Sequence, residues 1–98
     1  MNEIVNAAFQ VIPGKAEKTL YQLVDVAIKE IRDSGLTCRV CPFETVVEGP
    51  LEEVLALVPR VLKALYAEGV EDVLTFMKLQ SRKGADVSIG EKMEGYGG

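Results

Sequence analysis

Three polar side chains interrupt an apolar stretch in the middle of the sequence: Glu44, Thr45 and Glu48 surround the pair Val46-Val47. Adjacent valines predict a strand that is apolar on both faces, as in the middle of a sheet. Carboxylates accept hydrogen bonds, and a threonine hydroxyl both donates and accepts them. A few such groups in an otherwise apolar setting can orient a small ligand. The triplet is therefore the first candidate for a ligand-binding site.

The residue types that usually support catalysis or metal binding are scarce. The sequence has no histidine, the commonest general base and metal ligand. Its two cysteines, Cys38 and Cys41, have the Cys-x-x-Cys spacing of redox and metal sites. They lie in a strand-like run, where residues three apart point to opposite faces. We expect two reduced thiols used as small apolar residues, no metal, no cofactor and no catalytic residue, and therefore no enzyme.

Length and charge narrow the classes of partner. Ninety-eight residues predict one domain, over residues 1–98, with a single core. A net charge of −4 disfavours nucleic acid and anionic membranes, because both are negatively charged. No apolar run approaches the roughly 18 residues of a membrane span. The first residues, Met1-Asn2-Glu3-Ile4, lack the basic-then-apolar order of a signal peptide, which predicts a cytoplasmic protein.

The elements that position the triplet follow from the period of the apolar residues. Alternating or continuous apolar runs predict four strands, over residues 5–12, 36–41, 43–48 and 73–79. The helical period predicts two amphipathic helices, over residues 15–33 and 50–68. Pro59 should kink the second helix, because it lacks a backbone donor. The Ser-x-x-Glu spacing of Ser88 and Glu91 predicts a short helix near residues 88–95.

This order predicts an α+β fold, a ferredoxin-like βαββαβ sandwich with a four-stranded antiparallel sheet, two helices on one face and a short C-terminal helix. The first and third strands should be central. The other face of the sheet should stay substantially apolar, through Ala8, Ile12, Val46 and several of Val73, Thr75, Met77 and Leu79. Because a monomer would expose that patch to water, we expect a second copy to bury it in a dimer or tetramer.

The order of elements resembles that of a known family. The residues that support this resemblance are Val11-Ile12-Pro13, Gly35-Leu36, the run Cys41-Pro42-Phe43-Glu44-Thr45-Val46-Val47-Glu48-Gly49 and the tail Ile89-Gly90-Glu91-Lys92-Met93. Over about residues 5–94 the chain resembles the small thiamine-binding proteins. The resemblance implies sheet-to-sheet assembly, often into tetramers. It also implies binding, without catalysis, of thiamine or its hydroxymethylpyrimidine portion during precursor uptake or salvage.

A pocket for an aminopyrimidine needs a hydrogen-bond acceptor, a donor and a flat apolar wall. The candidates, in that order, are Glu48 and Glu44, then Thr45 and Thr19, then Phe43, with Gln10 as a further polar group on a central strand. Each has a structural alternative: Glu48 suits the start of a helix, and Gln10 suits a subunit interface. An alternative function also stays open, a regulatory module that senses another metabolite such as an amino acid, because this fold supports both.

Overall fold

The computed structural model describes residues 3–96, and within them the chain forms one four-stranded antiparallel sheet and four helices. The elements are β1 (Ile4–Pro13), α1 (Leu20–Asp33), β2 (Thr37–Val40), β3 (Thr45–Pro50), α2 (Leu51–Leu55), α3 (Leu57–Ala67), β4 (Val73–Gln80) and α4 (Ile89–Met93). The strand order is β2-β3-β1-β4. The ferredoxin-like arrangement is confirmed, with β1 and β3 in the centre. Every helix within residues 3–96 is too short or too polar to cross a lipid bilayer.

The core lies between the sheet and the helices α1 and α3. Alternation along β1 turns Val5, Ala7 and Phe9 toward these helices, and Val47 of β3 pairs with Ala7 on the same side. We call this side of the sheet the covered face. The helices add Leu23, Ala27, Ile31, Leu57, Val61 and Leu65. Burying each large apolar side chain stabilises the fold by about 1.5–3 kcal/mol, so this layer holds the helices on the sheet.

Helix α1 begins five residues later than the periodicity predicted. Thr19 is its N-cap: the Thr19 hydroxyl accepts from the Gln22 backbone N–H at 3.2 Å, and the Gln22 side chain accepts from the Thr19 N–H at 2.8 Å. This reciprocal capping box satisfies two backbone donors that a helix otherwise leaves unpaired. At the other end Gly35 has a φ of +81°, the left-handed conformation expected of a glycine after a helix.

The second predicted helix is interrupted rather than only kinked. Helix α2 ends at Leu55 and α3 begins at Leu57, with Ala56 between them. The cause is Pro59, which has no N–H for the Leu55 carbonyl and whose ring crowds that carbonyl. Pro50 precedes the first helical residue instead of occupying that position.

The opposite side of the sheet, which we call the open face, differs from the expectation on β4. The residues expected there were several of Val73, Thr75, Met77 and Leu79. This was wrong, because Leu74 pairs with Ile12 and Phe76 with Gln10, so these residues share the open face. Strand β4 is apolar at successive positions and shows no alternation, so its pairing with β1 decides the side. Leu74 and Phe76 are 55% and 53% exposed, and the open face is apolar at this end.

The tail returns to β1 after β4. The Val87 N–H donates to the Ile4 carbonyl at 2.9 Å, and the Ile4 N–H donates to Asp86 Oδ1 at 2.7 Å. The Ser88 hydroxyl then accepts from the Glu91 N–H at 3.0 Å and caps α4, which confirms the predicted C-terminal helix.

Candidate ligand-binding site

A cleft of about 420 Å³ lies between the open face and α4. We call it the α4 cleft. Small-molecule pockets usually enclose roughly 300–1,000 Å³, so the α4 cleft is large enough for a ligand of one or two rings. All four strands and α4 contribute to its lining, which includes Asn6, Ala8, Arg39, Val46, Lys78, Gln80, Ile89 and Met93.

The strand pairing arranges these side chains in two rows across the sheet. The first row runs Arg39, Val46, Ala8, Lys78 from β2 to β4. It is an apolar floor with a cation on each edge strand. The second row runs Thr37, Glu48, Asn6, Gln80 and is polar throughout. Of this row Asn6 and Gln80 line the cleft, so the cleft offers an apolar floor beside two amide side chains.

Asn6 is the most buried polar residue of the second row, at 4% exposure. Its Nδ2 donates to the Val87 carbonyl at 2.9 Å, whereas its Oδ1 is buried and has no hydrogen-bond partner among residues 3–96. An unpaired buried acceptor costs about 1–3 kcal/mol, so it needs an explanation. A ligand with an N–H or amino donor in the α4 cleft would satisfy it.

Glu48 fixes the helix that roofs the cleft. Its Oε1 accepts from the backbone N–H of Ile89, the first residue of α4, at 2.7 Å. The carboxylate is half-buried, and the helix start is therefore attached to a central strand by a charge-assisted hydrogen bond.

Glu44 and Lys78 form an ion pair that spans β1. Lys78 Nζ and Glu44 Oε1 are 3.1 Å apart, with the lysine more exposed than the glutamate. Arg39, half-buried, and Lys92, exposed, also line the α4 cleft. Within residues 3–96 neither has an ion-pair partner. Three cations and one carboxylate thus face the cleft.

The residues predicted from the sequence do not converge on one place. Glu44 lines the α4 cleft, whereas Glu48 lies outside its lining and binds the first residue of α4. Thr45 lies on the covered face, 7% exposed and paired with Phe9. Thr45 and Glu48 are three residues apart on one strand, so they point to opposite sides of the sheet.

The remaining candidates lie elsewhere. Phe43 is 84% exposed in the turn between β2 and β3, and with Thr45 and Gln10 it borders a second concavity of about 250 Å³ beside α1. We call it the α1 groove. Gln10 is exposed at the apolar end of the open face, beside Phe76. The Thr19 hydroxyl is engaged in capping α1.

Cys38 and Cys41 belong to no metal-binding group among the residues that the structure describes. Both thiols are free and half-buried; Cys38 pairs with Val47 on the covered face, and Cys41 follows the end of β2. Residues 3–96 contain no group of three cysteine, aspartate or glutamate side chains that could hold a metal ion.

The sequence reasoning missed Asn6, Arg39 and Lys78. The signal for Arg39 was present, because the hairpin turn closed by the Cys41 N–H and the Glu44 carbonyl, 2.9 Å apart, sets Arg39 opposite Val46. The importance of Asn6 depends on Val87, 81 residues later, and no local pattern indicates that contact.

Comparison with known proteins is informative over nearly the whole chain. A family model described as "thiamine-binding protein" matches residues 7–97. A protein of Clostridium perfringens assigned to family UPF0045 is 31% identical over 91 residues, which cover 93% of this chain and 95% of that protein.

Solved structures share the fold. A domain of unknown function from Bacillus cereus is 36% identical, with a TM-score of 0.87, over 92% of this chain and 86% of that one. A Thermotoga maritima protein described provisionally as a thiamine biosynthesis/salvage protein is 26% identical, with a TM-score of 0.85, over 95% of this chain and 98% of that one.

Proposed function

Because the chain belongs to the family of thiamine-binding proteins, we propose that it binds thiamine or its hydroxymethylpyrimidine moiety in the α4 cleft. The protein would bind without catalysing a reaction and would serve precursor uptake or salvage in the cytoplasm. The Thermotoga maritima relative is assigned, provisionally, to thiamine biosynthesis or salvage, which supports this role. The absence of histidine from the sequence supports a non-catalytic protein.

The observation that carries the proposal is that Asn6 lines the α4 cleft and that its Oδ1 has no hydrogen-bond partner within residues 3–96. An aminopyrimidine has an exocyclic amino group that donates hydrogen bonds, and a buried amide oxygen is a suitable acceptor. Glu44 offers a second acceptor in the same cleft. Ala8 and Val46 form the apolar floor on which the flat ring would lie.

Isothermal titration calorimetry with thiamine and with hydroxymethylpyrimidine tests the proposal. Ala8→Leu places a larger side chain on the floor of the cleft and fills part of it. Binding should weaken at least about tenfold, because the added atoms occupy the ring's position. Ala85→Leu makes the same change at an exposed residue outside the cleft and should leave affinity unchanged. Circular dichroism checks that both variants fold. No heat from either ligand at millimolar concentration would refute the proposal.

The sequence candidates outside the cleft supply a second arm of this experiment. Thr45→Val and Phe43→Ala alter the α1 groove and leave the α4 cleft intact. We expect little change in affinity. If these variants weaken binding and Ala8→Leu does not, the ligand lies in the α1 groove, where Thr45, Phe43 and Gln10 would contact it.

We also propose that copies of the chain associate through the open face into a dimer or a homotetramer. Ile12, Leu74 and Phe76 form an exposed apolar patch there, beyond the α4 cleft. Burial of apolar surface stabilises association by about 25 cal/mol per Å², before the entropy cost of association. Analytical ultracentrifugation should show an oligomer for the native chain and smaller species for Phe76→Glu. A native chain that stays monomeric at high micromolar concentration would exclude this assembly.

A second candidate function is the sensing of another metabolite such as an amino acid. The presence of both charge signs in the α4 cleft, Arg39 and Glu44, favours it, since an amino acid carries both. A thermal-shift screen distinguishes the two functions, because a ligand that binds only the native state raises the unfolding temperature. A shift with an amino acid and none with thiamine or hydroxymethylpyrimidine would select the sensor.

A further inference from the structure

The charge of the α4 cleft is opposite to the charge of the chain. The whole protein carries −4, yet three cations and one carboxylate line the cleft. The cations come from three separate elements: Arg39 from β2, Lys78 from β4 and Lys92 from α4. A local field of this sign attracts an anion.

The single carboxylate of the lining does not neutralise all three cations. Glu44 is paired with Lys78 at 3.1 Å. Arg39 and Lys92 have no ion-pair partner within residues 3–96. Two further carboxylates lie near the cleft without lining it: Glu48 keeps its charge while it accepts from the Ile89 N–H, and Glu91 is paired with Arg82. Half-buried Arg39 is thus a guanidinium with five donors and no ion-paired carboxylate in the described part of the chain.

We propose that the α4 cleft selects ligands that carry a phosphate, and that Arg39 is the phosphate-binding residue. The inference rests on the proposed function and specifies the ligand class of the same site. A ring on the floor formed by Ala8 and Val46 would place its donor at Asn6. Arg39 is two strands from Ala8, a separation of roughly 10 Å, so an anionic substituent on the ring would extend toward the guanidinium.

The chemistry of arginine favours phosphate at that position. The planar guanidinium donates two parallel hydrogen bonds to phosphate oxygens, and such charge-assisted bonds are stronger than neutral ones. The thiazolium ring of free thiamine is a cation and is repelled by the same field. The expected order of affinity is the phosphate monoester of hydroxymethylpyrimidine first, the neutral alcohol second and thiamine last.

Calorimetry at low and constant ionic strength measures this order with the three compounds. The phosphate monoester should bind about tenfold more tightly than the alcohol. In Arg39→Gln that ratio should fall toward one, while the affinity for the alcohol stays nearly unchanged. Arg39→Lys should restore part of the ratio, because it keeps the charge and loses the planar fork. The matched control is Arg32→Gln, on an exposed residue of α1 outside the cleft, which should keep the full ratio.

The outcomes separate this inference from the proposed function. Equal binding of the alcohol and its phosphate, or tighter binding of thiamine than of the phosphate, overturns the inference and leaves the proposed function intact. Binding of inorganic phosphate that depends on Arg39, with no binding of any pyrimidine, supports the anion site and overturns the proposed function. If Arg39→Gln leaves the tenfold ratio unchanged, Arg39 is not the phosphate-binding residue. Thermal unfolding of each variant verifies that it is folded.

Discussion

The two faces of the sheet are built from the same strands, but they have different roles. On the covered face Val5, Ala7 and Phe9 of β1 are almost fully buried against α1 and α3. On the open face the intervening residues Asn6 and Ala8 border a cleft with polar and charged walls. Stability is therefore concentrated on one side, and the other side can keep groups that the fold does not need.

Asn6 shows the contrast within a single strand. Its neighbours Val5 and Ala7 lose no hydrogen bond through the burial of their side chains, whereas Asn6 leaves one buried acceptor unpaired. Such a cost is common at functional sites and rare in a core. We therefore expect substitutions on the covered face to change mainly stability, and substitutions at the α4 cleft to change mainly ligand binding.

The largest expected effect is on the covered face. Leu65→Ala removes a fully buried side chain of α3 and should lower the free energy of unfolding by about 2–5 kcal/mol, because it leaves a cavity. Leu74→Ala on the open face should cost less than about 1 kcal/mol in an isolated subunit, because Leu74 is half-exposed. Urea unfolding measures both.

Repeating this pair of measurements at several protein concentrations sharpens the contrast. If a second copy covers the apolar patch of Ile12, Leu74 and Phe76, the cost of Leu74→Ala should grow with concentration, while that of Leu65→Ala stays constant. Equal losses for the two variants at low concentration would contradict the division of work between the faces.

The attachment of α4 is expected to be next in size. Glu48→Ala removes the half-buried acceptor of the Ile89 N–H and should cost about 1–3 kcal/mol, felt locally in α4 rather than in the core. Hydrogen exchange of the α4 amides measures this loss against the amides of β1. Glu48→Gln keeps an acceptor oxygen and should lose less, and Glu71→Ala, on an exposed loop residue, should change nothing. Faster exchange throughout β1 as well would mean that Glu48 supports the whole fold.

The covered face was the more predictable of the two from the sequence. Alternation of Val5, Ala7, Phe9 and Val11 predicts one apolar side of β1, and the helical stripes predict what covers it; both expectations agree with the structure. In β4 the run from Val73 to Met77 shows no alternation, so only pairing with β1 could show that Leu74 and Phe76 share the open face. The start of α1 differs from the prediction because the capping box of Thr19 and Gln22 fixes the first helical residue at Leu20, whereas the apolar period extends back to Ala16.

The candidate site was less predictable because it depends on long-range pairing. The local pattern predicted Glu44, Thr45 and Glu48 at one site; Glu44 lines the α4 cleft, and Glu48 binds the helix beside it. Because side chains alternate between the two faces along a strand, the spacing of three residues alone was enough to assign Thr45 and Glu48 to opposite faces. The opposition of Arg39, Val46, Ala8 and Lys78 needed the register of three strand pairs.

A smaller effect is expected at the start of α1, the helix that covers the sheet. Thr19→Ala removes the capping hydroxyl and should lower stability by about 0.5–2 kcal/mol, and Thr19→Ser should restore most of it. Thermal or urea unfolding measures the change. Because Thr19 was also a ligand candidate, calorimetry on Thr19→Ala is informative: unchanged affinity assigns the hydroxyl to the helix cap, and lost affinity in a folded variant assigns it to a ligand.

The smallest effect is a pH dependence of the tail. Arg82 Nη2 and Glu91 Oε2 are 2.8 Å apart on the exposed side of α4, and the hydrogen bond from the guanidinium lowers the pKa of Glu91.

Since the pKa is lower in the folded state, this pair stabilises α4 at a pH above the ordinary value of a glutamate, and that contribution is lost as the pH falls through the lowered pKa. Carboxyl NMR titration of Glu91 should show the lowered midpoint, and Arg82→Gln should move it back upward. Lys29 lowers the pKa of Asp33 in the same way on α1 and should keep doing so in Arg82→Gln. Hydrogen exchange should then show acid loosening of α4 before β1, because burial of apolar side chains on the covered face does not titrate; simultaneous loosening would mean that the two faces unfold as one unit.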